Sequence, residues 1–188
     1  METLLSIFIG ISLSAAAGFR VFVPLLVMSI AAHTGYLEPA SGFEWVGTTP
    51  ALVAFSIATL VEILAYYIPF VDNLLDAIAT PLAVIAGVIL TASTITGLHP
   101  FLSWTLAIIA GGGIAAVFQS ITGLTRLAST TSTAGLGNPV VSTVELGGAT
   151  LLSLIAVLLP VLAISIVGVL FIIGVKKLRQ RSAVPSQK

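Results

Sequence analysis

The chain has 188 residues, 57% hydrophobic and only 7% charged, with seven basic and seven acidic side chains and a mean hydropathy of +1.17. Soluble domains carry roughly a quarter charged residues, so water is excluded as the solvent for most of this chain. The absence of cysteine likewise excludes disulfides, thiolate metal sites and cysteine nucleophiles.

Apolar runs of about 18 or more residues can cross a hydrocarbon core as helix. Alternating ten-residue segments of the outer-membrane barrel type are absent, and a backbone in lipid must satisfy its own hydrogen bonds. The predicted fold class is all-α, a polytopic transmembrane helix bundle of six spans over 3–31, 50–69, 74–96, 101–128, 140–159 and 161–178.

In the first segment Ser14-Ala15-Ala16-Ala17 looks like a cleavage region. A signal peptide has a basic n-region, however, and the only charge before Arg20 is Glu2, so a retained first span is predicted. Arg20 lies deep in it with apolar sequence on both sides. A charge there costs about 2.5–3.5 kcal/mol on insertion scales, so it must face the interior and find an acidic or carbonyl partner. The loop 32–49, with His33, Glu38, Glu44 and Trp45 among Gly and Pro, reads as extramembrane.

Glu62 falls about 10 Å inside the end of the second segment. Asp72 and Asp76 follow the turn, four apart on one face of the third. Carboxylates gathered in a low-dielectric place serve as proton or cation sites, although Asp72 also suits a helix N-cap. The fourth segment carries Gly111-Gly112-Gly113, Gly123 and, near its end, Arg126. Asn138-Pro139 then marks a helix start, with Asn138 as N-cap. Ser142 and Glu145, three apart, share the face expected to point inward. The run from Pro139 to Val175 spans 37 residues, about 55 Å as helix and too long for one crossing, and it is broken at Pro160.

Five of the seven basic residues, Lys176, Lys177, Arg179, Arg181 and Lys188, crowd into the C-terminal tail, which the positive-inside rule places in the cytoplasm. An even number of spans then puts both termini there, in a cell membrane. Two acids from different segments at one depth, with Arg126 nearby, predict a polar pocket open to the cytoplasm.

Residues 58–69 align with 149–160 at an offset of 91 with five identities, and Ala15, Ala16, Ser29, Gly35 and Pro39 recur at an offset of 100. Such a duplication divides the chain into three-span halves, 1–98 and 99–180, with 181–188 as a cytoplasmic tail. Three being odd, the halves cross in opposite senses, the inverted repeat of secondary transporters, whose sites lie where interrupted helices of the halves meet. Ala15-Ala16-Ala17-Gly18 with Pro24 in the first span, and the glycines of the fourth, place such interruptions in corresponding positions.

Gly18-Phe19-Arg20-Val21-Phe22-Val23-Pro24, Glu62 through Ile68-Pro69-Phe70-Val71-Asp72 with Asp76 and Pro81, and Gly135-Leu136-Gly137-Asn138-Pro139 with Ser142 and Glu145 together carry a resemblance. The chain resembles, over nearly its whole length, a bacterial family of small multi-pass membrane proteins known only as a domain of unknown function. The resemblance implies that these residues act as a set, but no activity. Members of that family often show further charges after Glu62 and beside Glu145, where this chain has Tyr66, Tyr67 and Leu146.

The sequence contains no His-Glu-x-x-His, no histidine pair at ligand spacing and no Gly-x-Ser-x-Gly elbow, so no catalytic residue, metal or cofactor is expected. No basic patch suggests nucleic acid. The expectation is a transporter or channel for a small solute or ion, with Arg20, Glu62, Asp76, Asn138, Ser142 and Glu145 along its pathway and Asp72 and Arg126 in support. A proton-coupled mechanism and a homodimer fit this expectation. A non-transporting scaffold or assembly factor and a lipid-handling protein are the alternatives.

Overall fold

The computed structural model describes residues 1–68 and 71–182, apart from the side chains of Asp72, Asn73, Asp76 and 177–182. Within the described residues seven helices form and no strand: α1 (Glu2–Ala17), α2 (Phe22–His33), α3 (Thr49–Ala65), α4 (Val71–Thr94), α5 (Pro100–Thr133), α6 (Asn138–Leu158) and α7 (Pro160–Ser182). A short 3-10 helix, Glu44–Gly47, precedes α3. Proline sets several starts, since its missing N–H falls where no intrahelical partner exists. Pro50 follows the Thr48 cap of α3, and Pro100 follows His99, whose ring accepts the Phe101 N–H at 3.3 Å. Pro160 divides α6 from α7 at Leu159, as the break in the 37-residue run predicts.

Among the described residues three helices contain a stretch long and apolar enough to cross a membrane: Ala77–Thr94 within α4, Pro100–Thr133 and Asn138–Leu158. The burial pattern agrees with a lipid surround. Ile57, Leu60, Val61, Ile109, Val144 and Leu151 are exposed, whereas Ser12, Ser14, Ser29, Thr91 and Ser93 are fully buried. Small and hydroxylated residues let helices approach closely where lipid supplies no hydrophobic drive for association. Gly10 of α1 lies where a Cβ would come within 2.9 Å of the Thr91 backbone, and a Cβ on Gly111 of α5 would collide with Thr91 and with the Gly87 carbonyl oxygen. Ser14 Oγ joins this seam, 2.8 Å from Thr91 Oγ1 and 2.7 Å from the Gly87 oxygen.

The predicted first span is not one crossing. Residues 3–31 form two helices that reverse at Gly18-Phe19-Arg20-Val21. The Thr96 N–H donates to Ser6 Oγ near the start of α1, and the Ala40 N–H, beyond the end of α2, donates to the Ser93 carbonyl. Both mouths of the pair therefore sit at the same end of α4. The reversal itself packs against the middle of α5, where Thr122 Oγ1 donates to the Gly18 carbonyl at 3.2 Å. At 1.5 Å per residue the two arms are about 24 and 18 Å long, a hairpin that dips into the bundle and returns. Gly18 permits the turn because a Cβ there would strike Phe118 and the Ala115 carbonyl.

This hairpin corrects two further expectations. It has no counterpart in the second half, because Gly111-Gly112-Gly113 do not break α5; the helix stays continuous through a π-helical stretch at Ala107–Gly112. The first and fourth segments are therefore not equivalent, although α3 and α6, and likewise α4 and α7, run in opposite senses. Because the hairpin returns, α1 begins and α7 leaves at opposite ends of the bundle. Gly174 of α7 already packs on Ile121, at the depth of the hairpin tip, so the start of α1 and the described end of α7 lie toward opposite ends of the bundle. The basic residues Lys177, Arg179, Arg181 and Lys188, and the segment 181–188 read as a tail, lie outside the described side chains.

Helix apposition at Gly111 yields a direct test. Gly111→Ala is expected to destabilise the protein by about 1–3 kcal/mol through overpacking. Gly113→Ala, with open space at its Cβ, is expected to be neutral or to stabilise by up to ~1 kcal/mol through helix propensity. Thermal unfolding in detergent, with the Gly111 variant melting well below the Gly113 variant, checks this.

Candidate functional site

The hairpin tip meets the ends of α3 and α6 in a cluster of four buried charges. Glu62, near the end of α3, reaches across to the start of α2. Its Oε1 accepts the Val21 N–H at 2.8 Å and its Oε2 the Phe22 N–H at 3.1 Å. These amides belong to the first turn of a helix, where they have no intrahelical acceptor and where the macrodipole favours a negative charge. Glu62 is thus an N-cap supplied by another helix, and it fastens the hairpin tip to α3.

Arg20, one residue before those amides, is 1% exposed. Its Nη2 donates to the Ser142 carbonyl at 3.0 Å and lies 3.6 Å from Glu145 Oε2. Arg126 of α5 forms a tighter pair with Glu145 of α6. Its Nε donates to both carboxylate oxygens at 3.1 Å, its Nη2 pairs with Oε2, and the same nitrogen donates to Ser142 Oγ at 3.2 Å. Among the described side chains two arginines and two glutamates balance one another, which lowers the cost of burying them. Within the described residues Arg20 Nε and Nη1 have no hydrogen-bond partner.

Tyr66 completes the arrangement. The guanidinium carbons of Arg20 and Arg126 lie 3.9 and 4.0 Å from its ring centroid, within cation–π range. Tyr67 reaches the other way, its hydroxyl 2.8 Å from Thr143 Oγ1 on α6. Sequence reasoning assigned Tyr66 no role. The available signal was its spacing of four from Glu62, which places both on one face of α3.

The structure therefore gathers Arg20, Glu62, Ser142, Glu145 and Arg126. Asn138 is the first residue of α6 and not its predicted cap, a position that Gly137 takes. It sits one turn from Ser142, and its amide donates to Thr130 Oγ1 at 3.0 Å. The side chains of Asp72 and Asp76 lie outside the described residues.

Beside the cluster, a groove of about 390 Å³ opens between α3 and α4. Val21 and Phe22 from the hairpin, Ile57 and Val61 from α3 and Ile78 and Leu82 from α4 form its walls, and Glu62 and Tyr66 also line it. Its rim residues Ile57, Val61 and Ile78 are about half exposed, so the groove faces sideways out of the bundle.

A family model described as Domain of unknown function (DUF4126) matches residues 7–180. No curated protein and no solved structure matches the chain.

Removing one partner of a buried ion pair costs about 3–5 kcal/mol, because the other charge is left uncompensated. Arg126→Gln and Glu145→Gln are each expected to lose that much stability. The double variant should lose clearly less than the sum, as a double-mutant cycle of unfolding free energies in detergent would read. Simple additivity would mean that the two charges do not support one another.

Proposed function

We propose that this chain, which belongs to the DUF4126 family, is an integral membrane transporter or channel for a small solute or ion, with the buried charge cluster on its pathway. The observation that carries the proposal is the hairpin. Two short helices that end inside a bundle are tolerated at membrane depth only where their backbone is buried in protein or lines a cavity. Here they deliver Arg20 and the α2 amides to acids from α3 and α6. Ionisable groups inside membrane segments mark substrate and ion pathways, and interrupted helices form the sites of many transporters.

The cluster lies toward the end of the bundle where Arg126 and Lys176 are found, whereas Glu2, Glu38 and Glu44 lie at the other end. By the positive-inside rule the former end is cytoplasmic in a cell membrane, and the N-terminus lies outside. Because the chain has no cysteine, single cysteines report this without background. In sealed cells Glu38→Cys should react with an impermeant maleimide, and Leu136→Cys only after permeabilisation. The reverse pattern would invert the orientation.

One observation favours a second reading. Glu145 and Arg126 pair with one another, and Glu62 caps the start of α2, as expected of a membrane scaffold whose charges are locks. Flux in proteoliposomes separates the two. A transporter requires that Glu62→Gln, with its fold retained by circular dichroism and melting, loses at least ten-fold in rate for some ion or small solute that the wild type moves. Wild-type rates for every solute moved would remove Glu62 from the pathway, and a lowered melting temperature with no flux in either protein would support the scaffold.

A further inference from the structure

We propose that an internal water bridges Arg20 and Glu62, so that the charge cluster is hydrated on the side of the hairpin tip. The inference deepens the reading of that cluster as part of a pathway but requires only bound water. Arg20 is 1% exposed, yet its Nε and Nη1 find no acceptor among the described residues. These two nitrogens carry three of the five guanidinium N–H groups, and buried donors of a charged group are costly to leave unpaired. Otherwise unsatisfied buried groups are where internal waters are held, each making about three hydrogen bonds.

Glu62 supplies the other end of the bridge. It accepts the amide of Val21, the residue after Arg20, and its charge and that of Arg20 attract one another. No direct ion pair or hydrogen bond joins them among the described residues, where Arg20 pairs with Glu145 instead. Opposite charges held near one another but beyond direct contact are a place for a bridging water. Each Glu62 oxygen accepts one backbone amide, and a carboxylate offers about four lone-pair positions, so both oxygens keep acceptor capacity. Thr59, one turn earlier on the same face of α3, is also buried with no partner for its hydroxyl. Unpaired groups thus stand on the hairpin side and on the α3 side of one carboxylate. A neutral ligand is what such a place takes. Two arginines and two glutamates already balance among the described side chains, so an added ion would be an uncompensated charge in a low dielectric. Water meets both needs, its oxygen accepting from Arg20 and its hydrogens donating to Glu62. The Arg126–Glu145 pair is closed by direct bonds from Nε to both carboxylate oxygens.

The test is water-edited solid-state NMR of the full wild-type chain in phosphatidylcholine bilayers. Arginine, glutamate, isoleucine and valine are isotopically labelled, and each side-chain signal is assigned through its own backbone. At short mixing times, polarisation that starts on water should reach Arg20 Nε and the Glu62 carboxyl carbon at least ten-fold faster than Arg126 Nε and the Glu145 carboxyl carbon, the directly bonded pair. The methyls of Ile57 and Val61, at the rim of the lateral groove, should be as slow as that pair. Slow transfer to Arg20 Nε overturns the proposal, as does fast transfer to Arg20 with slow transfer to Glu62, since the water would then not bridge them. Equal rates at the two arginines would mean a cluster open to bulk water. Fast transfer to Ile57 and Val61 would mean that Glu62 is wetted through the groove. Either of these also overturns it. A hydrated bridge in a protein that moves no ion or solute would leave this inference standing and remove only the transport reading, whereas flux with a dry bridge would do the opposite.

Discussion

A single carboxylate holds the chain reversal on which the rest of the architecture depends. Glu62 takes the amides of Val21 and Phe22 at the start of α2, and without an acceptor there a helix start buried in a membrane-like interior leaves donors unsatisfied at a cost of several kcal/mol. Once those amides are capped, Arg20 is carried to a fixed place one residue earlier in the chain, where the Ser142 carbonyl and Glu145 receive it. Glu145 in turn is held by Arg126. Hairpin, α3, α5 and α6 are thereby joined through one set of opposed charges, and displacing any member leaves another exposed to a low dielectric.

Around that set the packing follows membrane logic. Buried hydroxyls share the interior with Leu13, Leu90 and Phe118, while many other large apolar side chains face outward. The seam of Gly10, Ser14, Gly87, Thr91 and Gly111 brings α1, α4 and α5 into near-backbone contact, which gives the hairpin a rigid back wall. By contrast α3 stands away from α4 over much of its length, and the lateral groove is the result. The molecule thus has a tightly sealed side and an open side, and Glu62 belongs to both the seal at the hairpin tip and the lining of the opening.

Two tyrosines tie the cluster to its surroundings. Tyr66 presents a ring to Arg20 and Arg126, and Tyr67 a hydroxyl to α6. An aromatic face stabilises two guanidinium groups without adding a charge.

Much was legible in the residues alone. Composition determined an all-helical, lipid-facing chain, since water cannot solvate so few charges; Pro160 determined a break, since it cannot continue a helix; and the depth of Arg20 and Glu62 marked them as side chains in need of partners. What only the tertiary structure decided was the path of residues 3–31, together with its consequences for the repeat and for the ends of the chain. An apolar stretch of that length is equally compatible with one crossing or a hairpin, because hydropathy records a preference for lipid and carries no direction. The choice is made by a carboxylate 40 residues further on that caps α2, by a glycine that must touch α5, and by a tyrosine beneath two arginines. These are contacts between distant segments, which no local spacing encodes.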